Sequence, residues 1–244
     1  MKWYFKLLIG LIILGTIIGL SYRETLVWRY PSYVRHYQKI MRNISSEEYI
    51  MRLNNFTSKS SDYPYSPKYE QLLKYLGNNL KYPETQIEHD MVTNFRTTNP
   101  NHEDAIEILK FGLGRCGEFV IVYTALCITE GYDTRIILDK NDHMWVELWT
   151  IPPSNAPKGG RWDNVPYQWM HIEVTDGATW CKNNPDKNPI DCPMINDPYR
   201  YYIYNKETDR YEKKIGDKLV EMKEIWAIQS CSAERIEEDY QWKG

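Results

Sequence analysis

The run "CGEFVIVYTALCITEGY", residues 116–132, constrains the fold of this chain more than any other stretch. Phe119, Tyr123, Leu126 and Cys127 recur at spacings of three and four, the period of a helix. Gly131 supplies the stop that helices favour. An apolar helix needs cover, and the next two runs can give it. "TRIILD" and "HMWVELWTI" alternate as half-buried antiparallel strands do. "QWMHIEVTD" is a further strand, and "YRYYIYN" and "KEIWAIQ" are strand candidates nearer the end. Upstream, residues 24–56 read as helical. "YEQLLKYLGNNL" is a short helix ending near Gly77, and "EDAIEILKFGLG" is another that stops at glycine. Residues 82–104 are mixed in character. Helices first and strands afterwards predict an α+β fold with an antiparallel sheet.

Before that body stands "MKWYFKLLIGLIILGTIIGLSYRE". Leu7 to Leu20 is almost wholly apolar, and counted from Trp3 the run approaches the ~20 residues a bilayer crossing needs. Residues 1–22 are therefore expected to be a membrane anchor or signal segment, and 23–65 a helical stalk and linker rich in Ser and Pro at its end. Residues 66–244 are left for one domain, large enough to bury a core. Lysines and arginines flank the apolar run on both sides, so charge does not fix its orientation. Sequons at Asn43 and Asn55 favour a domain outside the cytoplasm. The net charge of −3, without a long basic run, excludes nucleic acid as an expected partner.

Five cysteines are present, an odd number, so at least one thiol is free within a single chain. Cys181 and Cys192 bracket a Pro- and Asn-rich loop, a spacing that suits a disulfide in an oxidising compartment. Neither has a second ligand at short spacing, so no metal site is expected there. Cys127 lies among apolar neighbours and reads as a buried hydrophobe.

Cys116 differs. In "GLGRCGEFV" it stands where a glycine turn enters the helix. Unpaired backbone N–H groups and the helix dipole favour a negative charge there, which lowers a thiol's pKa and exposes a thiolate nucleophile. Gly114 and Gly117 would let a substrate carbonyl approach the backbone, with Arg115 shaping the entrance and the Cys116 N–H serving as an oxyanion donor. A thiol nucleophile needs a base and the base an orienting group. His143, at the start of a strand, is the candidate base, and His171 the runner-up. Glu173 shares a strand face with His171, opposite Met170, Ile172 and Val174, and is the candidate acid. Asp176 is the alternative, although Asp176–Gly177 also reads as a turn.

Three blocks, "GRCGEF", "DHMWVELW" and "WMHIEVTD", together resemble the transglutaminase-like superfamily over about residues 105–180, with peptide:N-glycanase-like members nearest in motif. The resemblance implies a papain-like core, with a nucleophile at the start of a helix packed on an antiparallel sheet. It also implies a Cys–His–acid triad that falls on Cys116, His143 and Glu173. Here Glu173 holds the place where the family carries Asp, and no Cys-x-x-Cys pairs precede the nucleophile. The implied function is thiol-dependent amide hydrolysis or acyl transfer on a protein, peptide or glycopeptide, without cofactor or metal. The alternative is a non-catalytic, membrane-anchored binding or scaffolding domain.

Overall fold

The computed structural model describes residues 32–64, 68–139, 143–150 and 168–195, and the strands 202–205, 210–215, 218–222 and 225–229. Contacts divide the chain into residues 1–39 and 40–244. In the first unit, 32–39 are helical, and this helix (α1) runs on to residue 44. The second unit is an α+β body. Its helices are α2 (Glu47–Thr57), α3 (Tyr69–Asn79), α4 (Gln86–Thr98), α5 (Ala105–Phe111), α6 (Cys116–Thr129) and α7 (Val174–Asn183).

Local chemistry sets where these helices begin and end. Ser46 Oγ accepts the Tyr49 N–H at the start of α2. At α4, Thr85 Oγ1 accepts the Glu88 N–H, and the Glu88 carboxylate accepts the Thr85 and Glu84 N–H groups, a reciprocal cap. Asp104 caps α5, which ends at Gly112 in the left-handed region, φ 75°. Beyond α6, Gly131 adopts φ 81°.

α6 is the centre of the second unit. Every residue from Gly117 to Cys127 is buried. α2, α3, α5 and α7 pack around it, and β1 (Thr134–Asp139) and β2 (His143–Thr150) lie against it. A helix apolar on all sides is stable only in such an enclosure.

The main sheet has the order β3-β2-β1-β7, with all neighbours antiparallel. β3 is Gln168–Ile172 and β7 is Ile225–Gln229. The β1–β2 register places Asp139 opposite His143, and the β2–β3 register places Glu147 opposite His171. Between β3 and β7 the chain forms a separate three-stranded antiparallel sheet of β4 (Tyr202–Asn205), β5 (Arg210–Ile215) and β6 (Lys218–Met222).

Three sequence expectations are corrected here. The membrane anchor, with its extracytoplasmic domain, is not upheld: among the described residues no helix is long and apolar enough to cross a membrane. The most apolar described helix, α6, is 14 residues, about 21 Å long, against the ~30 Å of a hydrocarbon core, and it is enclosed by protein. The expected span, 3–20, lies outside the described residues. Next, "WMHIEVTD" is not strand throughout, because β3 ends at Ile172 and Asp176–Gly177 lies within α7. Finally, Gly77 does not end α3 but sits inside it. The last two have one cause, the close crossing of α3 and α7. A Cβ on Gly77 would stand 2.2 Å from the Ala178 carbonyl oxygen, and one on Gly177 would stand 2.7 Å from Leu73 Cδ2. Both glycines serve close packing rather than turns.

Candidate active site

Cys116 is the first residue of α6 and is partly exposed. The turn before it is fixed by its own backbone: Lys81 N–H donates to Gly112 O at 3.0 Å and Gly114 N–H to Lys81 O at 3.1 Å. A Cβ on Gly114 would lie 2.5 Å from Glu118 Cβ, so this glycine admits the Glu118 side chain rather than a substrate. The Glu118 carboxylate, buried in the first turn of α6, accepts the Arg115 N–H at 2.8 Å. It also accepts both arms of Arg96 from α4, Nε at 2.6 Å and Nη2 at 2.7 Å. A bidentate arginine neutralises a carboxylate that would otherwise compete with a thiolate for the same helix end. Arg115 turns its guanidinium to α4, where Nη2 donates to His89 O and to Thr93 Oγ1, both at 3.0 Å. Gly117 is buried immediately after Cys116.

His143 opens β2. Its Nε2 lies 2.9 Å from Glu173 Oε2. The other Glu173 oxygen, Oε1, lies 3.0 Å from His171 Nε2, so one buried carboxylate joins two imidazoles. Glu173 sits at the hinge between β3 and α7. Its backbone N–H donates to Met194 O at 3.1 Å, and its carbonyl accepts the Gly177 N–H at 2.8 Å. Burial pushes the Glu173 pKa up, but the hydrogen bonds and charge of His143 and His171 outweigh it and hold the group down at about 2. Trp145 is fully buried, with its ring centroid 5.8 Å from that of His143 and 5.4 Å from that of His171. Its indole N–H donates to Glu147 Oε1 at 3.3 Å, and Glu147 is ion-paired with Arg135 on β1. Asp176, the alternative acid, is exposed in the first turn of α7.

The remaining thiols have other settings. Burial raises the Cys127 pKa, which suits an inert core thiol. Cys181 and Cys192 are both free and buried, without a disulfide between them, and the Cys192 thiol donates to Gly177 O at 3.9 Å. Cys231 lies outside the described residues.

Sequence reasoning missed Arg96, and with it the clamp on Glu118. A signal was present: Thr85 followed at the third position by Glu88 marks a helix start, and that helix carries Arg96. It took His171 only as the runner-up base, since nothing local to "WMHIE" shows that Glu173 bonds to two rings.

Residues 52–174 match the family model of the transglutaminase-like superfamily. The chain is similar to the peptide-N(4)-(N-acetyl-beta-glucosaminyl)asparagine amidase of Arabidopsis thaliana, at 31% identity over 105 residues, 42% of this chain and 13% of that protein. The protein of the same name from Oryza sativa subsp. japonica is 32% identical over 82 residues, 34% of this chain and 15% of its own. The one from Homo sapiens is 26% identical over 82 residues, 34% and 11%. The aligned part thus spans less than a fifth of each of these relatives.

Proposed function

The chain belongs to the transglutaminase-like superfamily, and on that premise we propose that it is a thiol-dependent amidase acting on peptides or glycopeptides. Cys116 is its nucleophile, His143 its acid–base and Glu173 the group that orients His143. The observation that carries this reading is the 2.9 Å contact from His143 Nε2 to the buried Glu173. In this reading the other ring nitrogen, Nδ1, exchanges a proton with a thiol, and Cys116 opens the helix packed on the same strand, β2.

In this mechanism His143 takes the Cys116 proton, giving a thiolate and an imidazolium. The thiolate attacks the amide carbonyl carbon, and the Cys116 N–H faces the developing oxyanion. As the C–N bond breaks, the imidazolium gives its proton to the departing amine, leaving a thioester. Water, deprotonated by the neutral imidazole, attacks the thioester and releases the acid and the thiol. Glu173 stays ionised throughout and stabilises the imidazolium. The relatives are named for an amide of glycosylated asparagine. The substrate class assigned here is accordingly the side-chain or backbone amide of a peptide, with or without a glycan on the nitrogen.

The test is incubation with an N-glycosylated peptide and its unglycosylated counterpart, followed by mass spectrometry. Cleavage of the glycosylated amide leaves Asp in place of Asn. Cys116→Ala should reduce turnover at least ~10³-fold. Turnover that survives Cys116→Ala would sink the assignment.

A further inference from the structure

We propose that His171 is a positioning residue of the site: its Nε2–H pins one oxygen of Glu173, so that the other is held toward His143. The inference rests on the triad proposed above and goes beyond it. A glutamate has one more rotatable bond than an aspartate, and an orienting carboxylate with that freedom spends part of its time turned away. The geometry removes the freedom. Glu173 Oε1 is 3.0 Å from His171 Nε2, and Oε2 is 2.9 Å from His143 Nε2. The carboxylate is buried, so no water replaces a lost partner without rearrangement.

His171 is itself anchored. It is buried on β3, directly across from Glu147 on β2, with its ring beside that of Trp145. Glu147 is committed to Arg135 and to the Trp145 indole, so it leaves Glu173 as the carboxylate on His171 Nε2. Among the described residues, the charged and titratable groups beside the pair include Glu173 from the β3–α7 hinge, His143 and Glu147 from β2 and Arg135 from β1. Asp176 of α7 is exposed.

The position also bears on ionisation. The hydrogen bond and charge of His171 are among the effects that keep Glu173 ionised against burial. Without them Glu173 protonates more readily and holds the imidazolium less well. The thiolate partner of that imidazolium then forms only at higher pH.

The experiment needs no substrate. Iodoacetamide labelling of Cys116 is followed by mass spectrometry across about pH 4 to 9, with Cys127 as the internal control. Three proteins are compared: wild type, His171→Phe and His171→Gln. The glutamine amide can donate from nearly the place of Nε2, whereas phenylalanine cannot donate at all. In His171→Phe the acid limb of Cys116 labelling should move up by about one pH unit, tenfold in proton activity, while His171→Gln keeps the wild-type profile. An acid limb that stays or moves down in His171→Phe overturns the proposal. So does an equal shift in both variants, because shape rather than the donated hydrogen bond would then matter.

Should His171→Phe fail to fold, the wild type decides by itself. Its histidine ¹⁵N spectrum at neutral pH must show Nε2 of His171 protonated, and an unprotonated Nε2 refutes the proposal. Failure of the underlying triad looks different. There, wild-type Cys116 would label no faster than Cys127, and the ¹⁵N spectrum would still report on the His171–Glu173 bond.

Discussion

Glu173 and Asp176 lie three residues apart, yet their substitutions should differ by orders of magnitude. Glu173→Gln keeps the shape but offers His143 an amide that favours the wrong tautomer, so turnover should fall roughly 10³–10⁴-fold. Asp176 is exposed, so Asp176→Asn should change turnover by less than about twofold. Comparison of kcat/KM for the two variants checks this. Glu173 also carries a stability consequence. Its folded pKa, about 2, lies below the ordinary 4.5, so its contribution is complete above the unfolded value and disappears as pH falls through the folded one. Between pH 4.5 and 2 the wild type should lose on the order of 3 kcal/mol that Glu173→Gln never had. Urea unfolding at several pH values would show the two curves converging in acid. At this scale the sequence was informative where chemistry is local. A cysteine after a glycine turn and a histidine opening an alternating run could each be picked out alone. Arg96 could not, because its partner lies 22 residues away and only the packing of α4 brings them together.

The α3–α7 crossing governs how the site is held, because α7 begins at the residue after Glu173. Its closeness depends on Gly77, whose added Cβ would meet a backbone oxygen that cannot swing aside. Gly77→Ala should therefore destabilise the protein by about 1–3 kcal/mol, despite alanine's better helix propensity. Thermal unfolding measures this, and an unchanged or raised Tm would show that the crossing has slack. The same crossing explains why parts of the element pattern were not legible. Asp-Gly and an isolated glycine are strong local turn signals, and here tertiary contact overrides both. α4 was obscured for another reason: only Val92 and Phe95 of its 13 residues are buried, so its apolar stripe is too thin to show a period. α6, β1 and β2 were legible because each carries a full period of buried residues.

For the molecule as a whole, the family match ends at residue 174, but the sheet does not. β7 supplies its fourth strand by pairing with β1 from Arg135–Gln229 to Asp139–Ile225. Truncation after residue 223 would leave β1 as an unpaired edge carrying the apolar run Ile136–Leu138. Such a protein should be markedly more prone to associate, and size-exclusion chromatography against the full chain reads this directly. The helices-then-strands order made the α+β class legible, but nothing local to "KEIWAIQ" named β1 as its neighbour, since that pairing joins segments about 90 residues apart. The distance also sets an order of assembly. His143 and Glu173 lie on the β2–β3 side, whereas β7 closes the opposite margin only after the chain has passed through α7 and the β4–β5–β6 sheet. The margin that carries His143 and Glu173 can thus form before the sheet is sealed, and a half-finished molecule would present an open, adhesive edge along β1.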